Sequence, residues 1–358
     1  LPDPAIDPAQ GSSPEDYFGI DTYTGTGSSH ERSALNFQPD WVWIKNRVNG
    51  DNHYLYDVLR GATQTLHSDT SGAEFTSASA LTSFDSDGFT LGGDGGVNRD
   101  TQAYVAWNWK AGTSVSGTTT GSGTLKSYSG SVNTTSGFAI IAYEGNGTAG
   151  HEIPHHLDQA PDMIIVKNRT DGDPSGTASA SWILWHKDLS ANQWLKLDTL
   201  DSVFTNADAF GAVPSSTTIT LGTFNTTNGS GDNMICYAFH SVDGFSKFGR
   251  YQGNNLGGND GPFVYLGFQP ALVILKYTGS SNGWFMFDNA REPNNHKDQF
   301  IMADMDAFTT EYTQAARGID FVSNGFKLRT DAAYDPNGSG TYIYMAFAEN
   351  PFKYSNAR

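Results

Sequence analysis

The sequence predicts an all-β protein built from three tandem antiparallel β-sandwich domains. Short apolar or alternating segments bounded by Gly, Asn, Asp or Pro dominate the chain, helical periodicity is almost missing, and one series of segments occurs three times. Short helices are expected only near residues 57–61 and 303–316. The composition agrees, because 358 residues that are 37% hydrophobic and include 40 glycines supply both cores and turns.

The threefold repeat is the main sign of the domain organisation. Each copy begins with a strand that ends in Tyr and a Gly-rich turn, and Tyr23, Tyr143 and Tyr251 lie 120 and 108 residues apart. A proline-led apolar strand follows, then an aromatic strand, a GFTLG-like strand, a polar loop and a last strand. The pattern aligns the last strands at Ala106-Trp107, Ala238-Phe239 and Ala346-Phe347. Units of this length indicate whole domains, since solenoid repeats run about 20 to 50 residues.

The predicted boundaries are an N-terminal extension at 1–16, copy 1 at 17–110, copy 2 at 137–241 and copy 3 at 242–358. Between copies 1 and 2, 19 of the 26 residues at 111–136 are Gly, Ser or Thr. This composition predicts a flexible linker of roughly 25 to 30 Å, which would leave copy 1 free to move while copies 2 and 3 pack closely. An edge strand is the alternative.

The proline-led strands carry apolar side chains on both faces in every copy. Such strands are expected deep in a sandwich, and each then reaches a lysine at which it is expected to surface. These lysines are Lys45, Lys167 and Lys276.

Charge and cysteine content exclude several classes of function. A net charge of −17 disfavours nucleic acid, because phosphate contacts need clustered Lys and Arg. No apolar run reaches 18 residues and no signal peptide is visible, so no membrane insertion is expected. The single cysteine, Cys236, lies in a strand and is expected to be a small buried hydrophobe.

Catalytic and metal motifs are weak, and the sequence predicts no enzyme, cofactor or metal site. GNGTAG at 145–150 lacks the following helix of a dinucleotide site, and HEIPH at 151–155 contains Pro154 where a zinc-protease helix is required. Asp-rich turns do not continue as calcium loops, and paired carboxylates of the glycosidase kind are missing. A D-x-x-R pattern, Asp57 with Arg60 and Asp288 with Arg291, predicts a local ion pair, with a ligand clamp as the alternative.

The polar loops before the last strands differ most between the copies. Their Asn and Asp side chains suit hydroxyl-rich ligands, although any long hairpin loop contains such residues. The candidate ligand-binding residues are Asn98, Asp100, Asn225, Asn228, Asp232, Asp335 and Asn337.

Long strings resemble the tandem-repeat structural proteins of marine tailed bacteriophages. They cover the chain from Tyr17 onward and include FQPDWVWIKNR, LTSFDSDGFTLG, GFAIIAYEGNGTAG, APDMIIVKNR and GTYIYMAFAENPFKYSNAR. The resemblance implies jelly-roll, concanavalin-A-like lectin sandwiches in a protein of the virion surface, as a tail fibre or tail-associated protein. Its implied partners are other virion proteins and host-surface glycan, and a homotrimer is compatible with a fibre. A capsid decoration or scaffold without ligand, and a glycan depolymerase, are the alternatives.

Overall fold

The computed structural model describes residues 3–170, 181–256, 261–304, 310–329 and 336–355. Strands make up most of its regular structure. Copy 1 contains β1 Phe18–Thr24, β2 His30–Arg32, β3 Trp41–Asn46, β4 Tyr54–Asp57, β5 Gln64–Thr65, β6 Phe75–Thr76, β7 Leu81–Asp85, β8 Gly88–Leu91, α1 Gly95–Asn98 and β9 Ala103–Trp109. The segment that follows contains β10 Thr113–Thr118, β11 Thr120–Gly121 and β12 Ser127–Asn133.

The other two copies repeat this order. Copy 2 contains β13 Phe138–Glu144, β14 His151–Pro154, β15 Met163–Asn168, β16 Ile183–His186, β17 Gln193–Lys196, β18 Phe204–Thr205, β19 Thr218–Leu221, α2 Asn225–Asn228 and β20 Asn233–Phe239. Copy 3 contains β21 Ser246–Gly253, β22 Phe263–Tyr265, β23 Phe268–Tyr277, β24 Trp284–Asp288, β25 Gln299–Met302, β26 Tyr312–Thr313, β27 Ile319–Val322, β28 Gly325–Leu328 and β29 Gly340–Pro351.

Each copy contributes one larger and one smaller antiparallel sheet. The larger sheets have the orders β1-β9-β3-β4, β10-β12-β13-β20-β15-β16-β17-β18 and β21-β29-β23-β24-β25-β26. The smaller sheets are β2-β8-β7, β11-β14-β19 and β22-β28-β27, and β5 pairs with β6. In every copy the last strand lies between the first strand and the proline-led strand. Apolar side chains fill the space between the two sheets of each copy, so the all-β, antiparallel sandwich prediction is confirmed.

The helices do not lie where the sequence predicts them. Residues 58–60 form a turn after β4, and the described part of 303–316 contains β26 and the start of a 3-10 turn. The two α-helices of the described ranges, α1 and α2, are single turns in the polar loops before the last strands. Asp94 begins α1 by accepting a hydrogen bond from the amide of Gly96 at 2.8 Å. Helices of four residues are too short to show a helical period.

The larger sheets of all three copies share one core on their second faces. This shared core joins the tryptophans of copy 1 to copies 2 and 3. The Trp41 ring centroid lies 4.4 Å from that of Trp109 and 4.5 Å from that of Tyr237 in copy 2. Every residue of β3 and β15 is buried, as expected for strands apolar on both faces. One face of each proline-led strand packs inside its own sandwich, and the other packs between the copies.

Polar contacts across the shared core form a closed ring. In each contact the last strand of one copy meets the end of the aromatic strand of another copy. The last strand of copy 2 meets copy 1, the last strand of copy 1 meets copy 3, and the last strand of copy 3 meets copy 2. The contacts are Tyr237 Oη to Asp57 Oδ2 (2.7 Å), Trp107 Nε1 to Asp288 Oδ2 (3.0 Å) and His186 Nε2 to the carbonyl of Tyr344 (3.3 Å). Each copy therefore contacts both of the others, and Asp57, His186 and Asp288 occupy equivalent positions in their aromatic strands.

A second set of contacts closes the same ring nearer the surface. Arg169 of copy 2 binds Glu74 of copy 1 at 2.7 Å, and Arg47 of copy 1 binds Glu311 of copy 3 at 2.8 Å. Copy 3 has Thr278 at the corresponding place, and its carbonyl accepts a hydrogen bond from the amide of Val203 in copy 2. The expectation that copy 1 moves freely does not agree with these contacts. The boundaries of three separate domains stay a prediction.

The D-x-x-R pattern forms ion pairs that belong to this ring. Arg60 Nε lies 2.5 Å from Asp57 Oδ2, and Arg291 Nε lies 2.6 Å from Asp288 Oδ2, with all four side chains 0% exposed. Their burial favours the ion-pair interpretation over the ligand clamp. In copy 2, His186 takes the place of the aspartate.

The lysines at the ends of the proline-led strands are buried, so the prediction that the strands surface there is wrong. Lys45, Lys167 and Lys276 are each 0% exposed. Lys45 Nζ donates to the carbonyls of Asn46 and Asp51 at 3.0 and 2.6 Å, and so closes the loop that follows β3. Burial lowers the pKa of Lys45 to about 8.

Segment 111–136 forms strands, as the edge-strand alternative expects. β12 pairs with β13, and β10 pairs with β12, so both extend the larger sheet of copy 2. Ser131 Oγ donates to Asp40 Oδ1 of copy 1 at 2.9 Å, and the Ala111 amide donates to Asp40 Oδ2 at the same distance. The segment is therefore attached to both copies.

The last strands align differently from the sequence pattern. Trp43 pairs with Trp107 in copy 1, and Ile165, at the corresponding position of copy 2, pairs with Tyr237. Tyr237, rather than Phe239, thus corresponds to Trp107. The error is a shift of two residues, which keeps every side chain on the same face and so leaves the alternating pattern unchanged.

Removing one partner of a buried ion pair is expected to destabilise the ring. Asp57→Ala removes the nearer of the two carboxylates that pair with the buried Arg60 guanidinium and leaves only Glu74, at 3.2 Å. We expect the free energy of unfolding to fall by about 3 to 5 kcal/mol. The double variant Asp57→His/Arg60→Leu, which introduces the residues of copy 2, should lose less. Urea unfolding measures the free energy of unfolding of both variants. A loss below about 1 kcal/mol for Asp57→Ala would contradict a stabilising role for the buried ion pair.

His186 is expected to make the fold sensitive to acid. Burial lowers the pKa of His186 to about 4, below the unfolded value of 6.5, so the unfolded chain binds the proton first as pH falls. Its contribution is fully present above pH 6.5 and is lost between about pH 6.5 and 4, by up to about 3 kcal/mol. Unfolding measured from pH 7 to 4.5 should be less pH-dependent in His186→Gln than in the exposed control His156→Gln. Equal slopes would show that His186 does not carry this dependence.

Candidate functional site

Three of the predicted ligand-binding residues support the backbone of the loops. Asn228 is 0% exposed and uses both ends of its amide. Its Oδ1 accepts from the Asn146 amide at 3.0 Å and from His151 Nδ1 at 2.9 Å, and its Nδ2 donates to the carbonyls of Gly222 and Thr148 at 2.7 and 3.0 Å. These bonds hold the Gly-rich turn of copy 2 against the loop before β20.

Asn98 and Asn337 occupy the same place in copies 1 and 3 and are also 0% exposed. The Thr26 amide donates to Asn98 Oδ1 at 2.8 Å, and the Asn254 amide donates to Asn337 Oδ1 at 3.1 Å. In each copy the repeated tyrosine supports the same junction. Its hydroxyl donates a hydrogen bond to a backbone carbonyl of the loop before the last strand. The tyrosine and carbonyl pairs are Tyr23 and Val97, Tyr143 and Thr227, and Tyr251 and Pro336.

A glycine stands two residues after each of these tyrosines, and close backbone packing requires it. A Cβ on Gly25 would lie 2.2 Å from the carbonyl oxygen of Arg99. The corresponding distances are 2.2 Å for Gly145 and 2.0 Å for Gly253. The repeated Tyr, Gly and Asn therefore form one structural junction, copied three times.

The other predicted residues differ in their exposure. Asp100 and Asn225 are exposed. Asp232 is half-buried and accepts from Asn168 Nδ2 at 2.9 Å, and the same amide donates to the carbonyl of Asn225 at 3.1 Å. Asp335 lies outside the described residues. The structure thus brings Asn225 and Asp232 together, while a ligand role for them stays a prediction.

The HEIPH motif lies in β14 and the residue after it. The first four residues are extended, so the helical spacing of a zinc-protease motif does not apply. His151 is buried, and its ring nitrogens bind Asn228 Oδ1 and Thr119 Oγ1 at 2.9 and 2.8 Å. Among the described residues, no group of three or more His, Cys, Asp or Glu is placed to hold a metal ion.

A different surface has the features of a binding site. Phe263 and Tyr265, which we call the aromatic platform, lie on the outer face of edge strand β22 and are 48% and 52% exposed. Val264 between them points into the copy 3 core. Tyr265 pairs with Gly325 on β28, so no side chain stands beside its ring on that strand. Large exposed aromatic side chains side by side often mark interaction sites.

The aromatic platform is specific to copy 3. The pairing of the smaller sheets places Glu31 of copy 1 and Glu152 of copy 2 at the position of Phe263. Ser33 and Pro154 correspond to Tyr265. The fold therefore tolerates polar or small residues here, and the two aromatic side chains are not needed to form the sheet.

A cleft of about 230 Å³ lies beside Tyr265, between copy 3 and the N-terminal extension. Lys247 Nζ lies 5.1 Å from the centroid of the Tyr265 ring and donates to the Tyr265 carbonyl at 3.0 Å. Burial lowers the pKa of Lys247. On the other side of the cleft, Lys353 Nζ lies 2.5 Å from Asp3 Oδ1, and this hydrogen bond raises the pKa of Lys353.

This arrangement suits a sugar better than an apolar ligand. A sugar ring can pack its C–H face on an exposed aromatic ring, while its hydroxyls bond to carboxylate, ammonium and backbone groups. The cleft offers Asp243, Lys247 and Lys353 within reach of the platform. Sequence reasoning missed this site because it examined the loops before the last strands. The signal was present as aromatic residues at alternate positions in GPFVYLG, where the other copies have glutamate at the first position and Ser33 or Pro154 at the second.

Comparison with known proteins places the chain in a family without assigning it an activity. A family model described as "Domain of unknown function (DUF7483)" matches residues 13–351. The chain belongs to this family. The match runs through all three copies, in keeping with the core that they share. No curated protein matches the chain. No helix in the described ranges is long and apolar enough to cross a membrane.

Asn228→Ala is expected to affect stability rather than binding. Truncating the amide leaves its buried partners unsatisfied, and we expect the free energy of unfolding to fall by about 2 to 3 kcal/mol. Asn225→Ala, at an exposed position of the same loop, should stay within about 0.5 kcal/mol of the parent protein. Denaturant unfolding distinguishes the two, and equal stability would show that the junction does not depend on Asn228.

Proposed function

We propose that the chain is a non-enzymatic structural protein of a bacteriophage particle that binds host-surface glycan through the aromatic platform. The observation that carries the binding role is the pair Phe263 and Tyr265, exposed beside a cleft with charged groups and replaced by Glu31 and Ser33 in copy 1. The resemblance of long strings to structural proteins of marine tailed bacteriophages supports a location on the particle surface, as a tail fibre or tail-associated protein.

The ring of three copies supports a structural role. Its polar contacts are buried between sheets, and its aromatic core joins all three copies. Such a core gives a rigid body that can present loops and edges to solvent. Other virion proteins are the expected partners of this body. A homotrimer would carry three platforms, and avidity would then exceed the affinity of one platform by about 10² to 10⁴.

Glycan binding is expected to depend on the aromatic platform. The double variant Phe263→Glu/Tyr265→Ser introduces the residues of copy 1 and removes both rings without burying a charge. We expect binding of the full chain to bacterial surface polysaccharides, measured on a glycan array and by isothermal titration, to fall at least tenfold. Phe75→Ser changes an aromatic residue of copy 1 that is 43% exposed and serves as the control. Equal binding by the platform variant and the control would contradict the proposal.

Two further results would replace the proposal. Release of oligosaccharides from host polysaccharide by the purified chain would show a glycan depolymerase. No binding to any glycan, together with immunogold labelling on the capsid, would show a decoration or scaffold protein. Labelling on the tail, with binding and without release of sugar, is the expected result.

A further inference from the structure

The first strands of the three copies differ in how their outer edges are covered. β13 of copy 2 pairs with β20 on one side and with β12 on the other. β1 and β21, the corresponding strands of copies 1 and 3, are edge strands of their sheets within the described part of the chain. An edge strand offers unpaired N–H and C=O groups to another extended chain.

In copy 2, β12 also fills the groove between neighbouring copies. It runs antiparallel to β13, from Tyr128 opposite Tyr143 to Asn133 opposite Phe138. On the face toward the shared core it carries Ser131, which bonds to Asp40 of copy 1. The chain thus contains its own example of a strand added at this edge.

The corresponding groove between copies 1 and 3 contains a cleft of about 290 Å³. Its walls include Gly19 and Ile20 of β1 and, from copy 3, Ala271 and Ala290. Ala271 follows the strand-leading proline, as Asp40 does in copy 1, and so stands at the place that Ser131 contacts in the filled groove. Small side chains leave room here for an added strand.

The third groove is partly closed by the chain itself. Ser241 of copy 2 lies beside β21, and its Oγ accepts a hydrogen bond from the amide of Phe248 at 3.2 Å. The same hydroxyl binds Asp162, the residue of copy 2 that corresponds to Asp40. The edge of β1 is therefore more open to an added strand than the edge of β21.

We propose that the free edge of β1 is a β-augmentation site that accepts one extended strand from a partner protein. Main-chain hydrogen bonds to β1 supply the affinity, and small residues of the added strand face Ala271. The exposed Glu15 also lines the cleft at the Phe18 end of β1, so the strand carries a Lys or Arg near its C-terminal end. The site lies apart from the aromatic platform and does not depend on glycan binding.

Charge favours a different protein over a second copy of this chain. The chain has a net charge of −17, so a second copy offers no general excess of positive charge to this acidic edge. Its own edge strand at the far end of the copy 2 sheet, β10, reads TSVSGT and has no basic residue to meet Glu15. A strand of a different protein that carries a basic residue is therefore the expected occupant.

The test uses the full chain and a labelled peptide, KSYSGSVNT, which has the sequence of residues 126–134 around β12. Fluorescence anisotropy should show saturable binding, and hydrogen exchange should show new protection in β1. Ala290→Trp, at an exposed position on the wall of the cleft, should weaken binding at least tenfold. Ala191→Trp, at an exposed alanine of copy 2, should leave it unchanged. In the register of β12 the C-terminal end of the peptide lies beside Phe18 and Glu15, so a peptide with Lys in place of its last Thr should bind at least threefold more tightly at low salt.

Three results would overturn the proposal. The first is no saturable binding of either peptide, and the second is equal binding by the Ala290→Trp and Ala191→Trp variants. The third is self-association of the chain in sedimentation velocity that Ala290→Trp abolishes, because it would assign the edge to a second copy. Circular dichroism of both tryptophan variants checks that each is folded before binding is compared.

Discussion

The burial of the second face of each proline-led strand is the constraint on which the rest of the structure depends. A sheet that is apolar on both faces cannot stop at a two-layer sandwich, because its outer face would remain in water. Here the outer faces of the three larger sheets cover one another. Trp41 against Tyr237 illustrates the contact, and the ion pairs and tryptophan hydrogen bonds lie at its margins. The arrangement of the copies follows from this burial.

The sequence predicts the strands well because their signals are local. Alternation, turn residues and the apolar run at Trp41 to Ile44 suffice for the all-β class and for the buried strand. The ring could not be predicted in this way, since periodicity shows that a face is buried but not which surface covers it. Lys45 shows a related limit. A lysine after an apolar strand is usually solvated, and only the carbonyls of the following loop reveal why this one is buried.

The candidate site shows the same difference between residue type and environment. Asn98, Asn228 and Asn337 have the side chains that a glycan-binding loop uses, yet each side chain is hydrogen-bonded to backbone groups of its own copy. Phe263 and Tyr265 have the side chains of a core, yet they face solvent. The comparison of sheet register between the copies shows that Phe263 and Tyr265 occupy positions where the other copies have polar or small residues. The Tyr, Gly and Asn of the junction are the same in all three copies, whereas Phe263 and its equivalents, Glu31 and Glu152, have diverged.

The closed ring has a consequence for how such a chain can evolve. A solenoid gains or loses repeats with little cost, because each unit contacts only its neighbours and the ends are capped. Here copy 3 contacts copy 1 as well as copy 2, so the series has no free end to extend. A chain without copy 3 would leave Trp107 and Arg47 without their partners Asp288 and Glu311, and a fourth copy would have no face to cover. Copy number is therefore set by geometry, and variation is confined to edges, loops and the outer faces of the smaller sheets.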